Sequence, residues 1–182
     1  ARQMCVNDDV GEAWTAPAGF IRGKLNKPTG VEYALSQGDR DAMYSGGNVV
    51  NPIVNFAQQG ITIFGQRTAQ RTNTATNRIN IRRMLIAVRK AILAATRQFA
   101  FEPNDIFTWN KVSSSLLPFL ADIQRKRGLT EFRIICDETV NTPTRIERGE
   151  LWCKVILKPT KTAEILVFEV NLTTQSAQLG TL

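Results

Sequence analysis

The stretch INIRRMLIAVRKAILAATRQF, residues 79–99, decides the fold of this 182-residue chain. Its apolar side chains recur at steps of three and four residues, which is the period of one face of an α-helix. The members of this stripe are Ile81, Met84, Leu85, Val88, Ala91, Ile92, Ala95 and Phe99. Pro103 follows and disfavours helical geometry at the residue before it. The pattern therefore predicts an amphipathic helix that ends before Pro103.

A second helix is predicted after Pro103. Asn104 is placed to cap its first turn, and Gly128 lies just beyond its last turn. Pro118 falls inside the apolar pattern and, because it lacks a backbone donor, should kink or divide the helix. The side chains expected to face the core are Phe107, Val112, Leu116, Phe119, Leu120 and Ile123.

Three runs near the C-terminus are rich in β-branched and aromatic residues, which predicts strands at residues 132–137, 151–158 and 165–172. Apolar and polar positions alternate in the middle run, as in a sheet with one buried face and one wetter face. Two helices followed by strands predict an α+β domain, a two-layer α/β sandwich whose helices pack on a small mixed sheet.

The first 60 residues are rich in glycine and proline and are predicted to be mostly loops. Ser36 is placed to cap a short helix that reaches Tyr44, and Gly60 introduces a short strand closed by Gly65. We expect a core domain of residues 1–164, a fragment of a longer chain, followed by a C-terminal strand and arm at residues 165–182.

The positive charge is confined to one part of the chain. Residues 42–101 contain eight basic residues and no acidic residue, whereas the remainder contains 15 basic and 16 acidic residues. The net charge of +7 therefore arises from this block. A local field of one sign attracts an anionic partner, although arginines that solvate an ordinary helix face give the same pattern.

Several classes of catalytic site are excluded. The chain has no histidine, which removes Ser-His-Asp and Cys-His catalysis and histidine zinc ligands. Its three cysteines form no Cys-x-x-Cys pair. The spacing of Gly19 and Gly23 does not match a phosphate-binding loop. No apolar run is long enough for a membrane-spanning helix. We predict neither enzyme activity nor a metal or cofactor, and no membrane partner.

Nucleic-acid binding is the alternative that the basic block raises. Single-strand binders stack bases on aromatic side chains, and no Phe, Tyr or Trp lies between Arg67 and Arg97. Neither an RNA-binding aromatic motif nor a zinc finger is present. We therefore expect no nucleic-acid partner and keep a basic nucleic-acid-binding protein only as the weaker alternative.

Seven groups of residues, in this order, resemble the C-terminal conserved core of contractile phage tail sheath proteins. They are WTAPAG (14–19) with Arg22–Gly23, NPIV (51–54), GITIFGQRT (60–68), NIRRML (80–85), FEPND (101–105) with Thr108–Trp109, CDET (136–139) with Asn141 and Pro143, and Ile146 with Arg148–Gly149. Together they extend over about residues 14–172, and their common order makes the resemblance specific.

The resemblance implies a structural protein of the virion tail, assembled in the host cytoplasm. Such subunits stack as hexameric rings around an inner tube, and contraction drives the tube through the host envelope. Related contractile injection systems, pyocin-like or of the secretion type, share the fold and remain an alternative. The implied partners are neighbouring sheath subunits, which exchange arms that complete each other's sheets, the tail tube protein, and the baseplate and terminator proteins.

The resemblance also gives the basic block and the C-terminal strand expected roles. An acidic tube surface would suit a basic helix face, here Arg78, Arg82, Arg83, Arg89, Lys90 and Arg97. A second candidate patch is Arg125, Lys126 and Arg127. The candidate strand for exchange between subunits carries Ile165, Leu166, Val167, Phe168, Val170 and Leu172.

Overall fold

The computed structural model describes residues 2–45, 49–72, 74–165 and 167. Within these residues the elements are α1 (Arg2–Val10), α2 (Gly19–Arg22), α3 (Gln37–Ser45), β1 (Ile53–Phe56), β2 (Gly60–Ile63), α4 (Ile79–Thr96), α5 (Ile106–Arg125), β3 (Leu129–Ile135), α6 (Pro143–Glu147) and β4 (Lys154–Pro159). Short 3₁₀ turns at Ala75–Asn77 and Arg97–Phe99 flank α4. Helices combined with small sheets confirm the predicted α+β class.

Strands β3 and β4 form an antiparallel pair that provides one layer of the domain. The register runs from Ile135 opposite Lys154 to Leu129 opposite Pro159. Burial alternates along β4 as predicted, with Val155 half-buried and the lysines exposed. The sheet therefore has one core face and one solvent face.

Helices α4 and α5 cover the core face of this sheet. The most buried cluster joins Met84 and Val88 of α4 to Leu120 and Ile123 of α5, with Leu129 at the start of β3. A second cluster continues along α5 through Trp109, Val112 and Leu116 to Cys136 just beyond β3. Both predicted helices therefore form the second layer.

Helix α5 begins one residue later than the predicted cap. The side chain of Asp105 accepts a hydrogen bond from the backbone N–H of Thr108 at 2.9 Å, so Asp105 is the cap. Asn104 is engaged elsewhere. Its Oδ1 accepts a bond from Trp109 Nε1 at 2.8 Å, and its Nδ2 donates to the backbone O of Glu150 at 3.0 Å. Asn104 therefore ties the start of α5 to the chain that precedes β4.

The structure corrects the predicted core position of Phe107 and the predicted division of α5 at Pro118. Phe107 is 73% exposed, because it lies about 200° around the helix from buried Trp109. Pro118 does not divide the helix, which runs unbroken to Arg125. Its side chain is exposed, so the ring and the missing hydrogen bond fall on the solvent side.

Strands β1 and β2 form a separate antiparallel hairpin that buries Val54 and Ile61. Its tight turn contains Gln58 and Gly60, both with positive φ. Phe20 and Phe64 pack against Phe56 of β1. The two sheets seen among the described residues are both antiparallel pairs, so the predicted mixed sheet completed by neighbours stays a prediction.

The N-terminal region contains more helix than its composition predicts. Helix α3 follows Ser36 as expected, with the hydroxyl of Ser36 donating to the carboxylate of Asp39 and accepting from its backbone N–H. Helix α1 was not predicted, because it has no apolar stripe. Its position depends on long-range contacts, including an ion pair between Asp8 and Arg83 of α4.

Trp14 connects this N-terminal region to the end of α5. Its Nε1 donates to the backbone O of Lys126 at 3.1 Å, and its backbone O accepts from Asn80 Nδ2 at 3.3 Å. The indole also packs against Gly128, where an added Cβ would lie 2.9 Å from the ring. Only glycine fits beneath the indole at this position.

We predict that Leu120→Ala lowers the free energy of unfolding by about 2–5 kcal/mol, because Leu120 is fully buried between the helices and the sheet. The matched control is Leu117→Ala on the same helix. Leu117 is 55% exposed, so its truncation should change stability by less than about 0.5 kcal/mol. Urea denaturation of both variants measures the difference, and equal losses would contradict this core assignment.

Candidate interaction surfaces

The predicted basic face of α4 is divided by ion pairs within the chain. Arg78 makes a bidentate pair with Glu164, with Nε 2.6 Å from Oε1 and Nη2 2.8 Å from Oε2. Arg83 pairs with Asp8 of α1. Their guanidinium groups are therefore paired with carboxylates of the same chain, and the assignment of these two residues to a tube-facing patch stays a prediction.

The other four members of the predicted face remain exposed. They are Arg82, Arg89, Lys90 and Arg97. Arg82 and Arg89 are seven residues apart, so they lie on the same side of α4. None of the four makes a salt bridge with another of the described residues. This exposed basic face, defined by these four residues, is the part of α4 with uncompensated charge.

The second predicted patch is partly compensated. Arg125 pairs with Asp122, and Lys126 Nζ lies 2.7 Å from an oxygen of Glu12 and 3.2 Å from Asp122. Hydrogen bonds from Arg125 and then Lys126 hold the pKa of Asp122 below its usual value. The contact with Glu12, followed by that with Asp122, raises the pKa of Lys126. Arg127 is the exposed member of the patch without such a pair among the described residues.

The candidate strand for exchange lies at the end of the described chain. Ile165 is 83% exposed and Val167 is 85% exposed, so neither packs on its own domain. The remaining candidates lie outside the described residues. They are Leu166, Phe168, Val170 and Leu172.

A groove of about 390 Å³ separates α4 from β4. Its walls are apolar, and Arg82 and Arg89 lie along its rim. The apolar lining comes from Leu85, Ile86, Val88, Ile92 and Leu93 of α4 and from Val155 and Leu157 of β4. Sequence reasoning missed the groove, although Ile86 and Leu93, seven residues apart, form a second apolar line outside the predicted stripe.

The groove runs beside an open strand edge. β4 pairs with β3 along one edge, and in the described part of the chain no other strand pairs with it. An unpaired edge presents backbone N–H and C=O groups that can accept another strand. The combination of an open edge and an apolar groove is therefore suited to an extended peptide with alternating apolar side chains.

Among residues 2–45, 49–72, 74–165 and 167, no group of three or more cysteine or carboxylate side chains could hold a metal ion. None of the described helices is both long and apolar enough to cross a membrane. Among the described residues, the surfaces with distinctive chemistry are therefore the groove and the exposed basic face.

Two of the three thiols lie beside each other, with Cys136 buried and Cys153 half-buried. The register of β3 and β4 continues beyond Ile135 and Lys154 to place Cys136 opposite Cys153. Burial raises the pKa of Cys136, and burial followed by the neighbouring Cys136 raises the pKa of Cys153 to about 12. Both thiols remain protonated at neutral pH and act as small apolar groups. Cys5 is exposed.

These features define an α+β domain with surfaces suited to binding extended segments and charged faces of other proteins. Sequence comparison identifies the family. The sequence model described as the phage tail sheath C-terminal domain matches residues 71–173, so the chain belongs to this family, as predicted.

The curated relatives are consistent with this assignment. The chain is 35% identical over 173 residues to the tail sheath protein of Vibrio phage KVP40, covering 95% of this chain and 26% of the relative. It is 26% identical over 175 residues to the tail sheath protein of Enterobacteria phage T4, covering 96% of this chain and 26% of the relative. The chain thus spans about a quarter of the length of these relatives.

Solved structures share the fold. The sheath complex of an extracellular contractile injection system, PVC, in the contracted state matches with a TM-score of 0.85 and 22% identity over 96% of this chain and 50% of that one. The contracted helical sheath of the anti-feeding prophage matches with a TM-score of 0.78 and 20% identity over 92% of this chain and 48% of that one. At these identities the likeness establishes the α+β architecture.

We predict that Cys5 reacts with iodoacetamide at pH 8 at least about tenfold faster than Cys136 or Cys153. Cys5 is exposed, whereas burial raises the pKa of Cys136 and raises that of Cys153 to about 12, at which only about one ten-thousandth of the Cys153 thiol is thiolate at pH 8. Peptide mass spectrometry at several times measures the three rates. In urea all three should react, which controls for peptide recovery. Equal rates in the native protein would contradict the burial of the pair.

Proposed function

We propose that this domain forms part of the structural subunit of a contractile phage tail sheath. The subunits polymerise as stacked hexameric rings around the inner tail tube, and contraction drives the tube through the host envelope. Family membership supports this function, because curated relatives that the chain matches are named tail sheath proteins. The proposed location is the virion tail, after assembly in the host cytoplasm.

The observation that carries the proposal is the open edge of β4 beside the apolar groove. Residues 165–172 alternate so that even-numbered positions are all apolar: Leu166, Phe168, Val170 and Leu172. In a strand these four side chains share one face. A neighbour's segment added to β4 would direct that face into the groove and satisfy the open backbone groups.

The energetics of this exchange favour assembly through many contacts. Burial of one such apolar side chain contributes about 1.5–3 kcal/mol. Association of two subunits costs an estimated 4–15 kcal/mol in lost freedom of motion. Binding through a single arm is therefore only marginally favourable. In a lattice where every subunit donates and receives an arm, multivalency increases the overall affinity. This arrangement needs no catalytic group or cofactor, because the free energy of contraction resides in contacts between subunits.

The proposed boundary between core and arm lies at residues 164 and 165. Residues 1–164 make up the core, and 165–182 make up the donated arm. Ile165, the first residue of the proposed arm, is 83% exposed, which supports an arm that leaves the core at this point. Baseplate and tail terminator proteins are the proposed partners at the two ends of the sheath.

The exposed basic face of α4 is the proposed contact with an acidic surface of the tube protein. Lys90 and Arg97 lie outside the groove, and Arg82 and Arg89 lie on its rim. Exposed ion pairs contribute only about 0–1 kcal/mol each and are screened by salt. Because these ion pairs are repeated around every ring, their summed free energy is sufficient to align the sheath on the tube. Each pair is still weak enough to be broken during contraction.

A contractile injection system is the second candidate setting, favoured by the structural likeness to the PVC and anti-feeding prophage sheaths. The curated sequence relatives come from phages, which favours the phage tail. Nucleic-acid binding is less favoured, because ion pairs with Glu164 and Asp8 neutralise two arginines of the basic block.

Removal of residues 165–182 from the full-length protein should abolish sheath polymerisation and leave the domain folded. Leu93→Lys, which places a charge in the groove at a residue 54% exposed, should weaken polymerisation for the same reason. Leu117→Lys is the matched control on α5, away from the groove. Electron microscopy and sedimentation measure assembly, and circular dichroism measures folding. Normal polymerisation of the truncated chain would refute arm donation.

A charge reversal of Lys90 and Arg97 to Glu should loosen sheath from tube without reducing polymerisation, because these residues lie outside the groove. Co-sedimentation of sheath with tube at increasing salt measures the contact, and we expect a loss of about tenfold in affinity. The comparison variant reverses Arg125 and Arg127. If only that variant loosened the tube, the second patch would be the contact.

A further inference from the structure

The chain that leaves β4 crosses to the N-terminal half of the domain, where polar side chains hold it. Thr160 first donates its backbone N–H to the O of Gly128 at 3.1 Å. Gln66 Nε2 then donates to Thr162 Oγ1 at 2.5 Å and to Glu164 Oε1 at 3.2 Å. Thr162 and Glu164 lie immediately before the exposed Ile165.

Arg78 adds an ion pair to these hydrogen bonds. Its two bonds to the Glu164 carboxylate are bidentate, an arrangement that fixes both distance and direction. Each side chain of the pair is 21% exposed, so water screens it less than a pair on the open surface. Nη1 of Arg78 also donates to Asn77 Oδ1 at 2.7 Å, which fixes the orientation of the guanidinium.

The residues that hold Glu164 are part of the folded core. Gln66 is 3% exposed, and its backbone O accepts a hydrogen bond from Ile79 N at 2.7 Å, at the first residue of α4. Tyr44 lies near the same carboxylate: burial and then the Glu164 carboxylate raise the pKa of Tyr44, so its phenol stays protonated. Gln66 and Arg78, from two separate segments, thus converge on one carboxylate.

We propose that Gln66 and Arg78 form an arm clamp that holds Thr162 and Glu164 and so sets where the C-terminal arm leaves the core. This inference rests on the proposed function, since it assigns a role in arm donation. Arg78 is then a positioning residue for the arm rather than a contact with the tube.

The clamp acts by reducing the conformational entropy lost on assembly. Without it the free chain would begin after Thr160 rather than after Glu164, so four more residues would be ordered when a neighbour binds the arm. Ordering one backbone residue costs roughly a tenfold factor in an association constant. The clamp also directs an arm of fixed length from a fixed origin, which restricts the neighbours that it can reach.

The chain provides a direct probe of the clamp in the soluble subunit. Beyond Lys158, which precedes Pro159, the only basic residue is Lys161, an exposed residue within the clamped segment. Cleavage by a lysine-specific protease after Lys161 therefore reports how often this segment opens. Mass spectrometry of the released C-terminal peptide gives the rate of this single cut in the full-length protein.

The variants are Arg78→Glu, Glu164→Arg and the combined charge swap. We expect each single change to accelerate cleavage after Lys161 by at least about fivefold, because like charges then face each other. The charge swap should restore a rate within about twofold of the wild-type rate. Arg82→Glu, an equal change of charge on the exposed basic face, is the matched control and should leave the rate unchanged. Unchanged cleavage in both single variants would overturn the clamp.

Polymerisation of the same variants without tube tests the positioning role. Arg78→Glu and Glu164→Arg should each raise the critical concentration for polymerisation by about tenfold or more, and the charge swap should lower it again. If the wild-type chain and the single variants polymerised equally well, the positioning role alone would be overturned. If the wild-type chain did not polymerise, the proposed sheath function itself would be refuted. This outcome can be distinguished from equal polymerisation of the wild-type chain and the variants, which refutes only the positioning role.

Discussion

The burial of one side of α4 against β3 and β4 is the constraint on which the other features depend. Met84 and Val88 are almost completely buried there, together with Leu120 of α5. This packing fixes the rotation of α4 about its own axis. Once the rotation is fixed, Ile86 and Leu93 must face the groove, and the basic residues must point to solvent. One helix therefore contributes both to the core and to two candidate surfaces.

The fold could be predicted where the relevant signal is local. The stripe of α4 and the alternation in β4 each repeat at the period of their own secondary structure, so neighbours in sequence define the buried face. Helix α1 has no such period, and its ion pair to Arg83 joins residues 75 positions apart. Asp105 rather than Asn104 caps α5, because Asn104 is engaged by Trp109 and by Glu150, residues that a local pattern does not bring together.

The candidate surfaces were less predictable than the fold, because charge is a long-range property. The sequence places six basic residues on or beside α4, and two of them are neutralised by Asp8 and Glu164, which lie far away in the chain. Counting charges within a block cannot reveal such partners. The groove requires the relative position of α4 and β4, which are separated in sequence by α5, β3 and α6. Its apolar lining was visible in the sequence, but its shape was not.

The contact between Trp14 and Gly128 has a consequence for the order in which the chain folds. The indole hydrogen bond to Lys126 joins residues 112 positions apart. Loop closure of this length is costly until the intervening core has formed. On a ribosome, the segment around Trp14 emerges before α5, yet its binding site is completed only when the end of α5 and Gly128 have left the exit tunnel. The earliest part of this sequence to be synthesised is thus among the last to reach its native position.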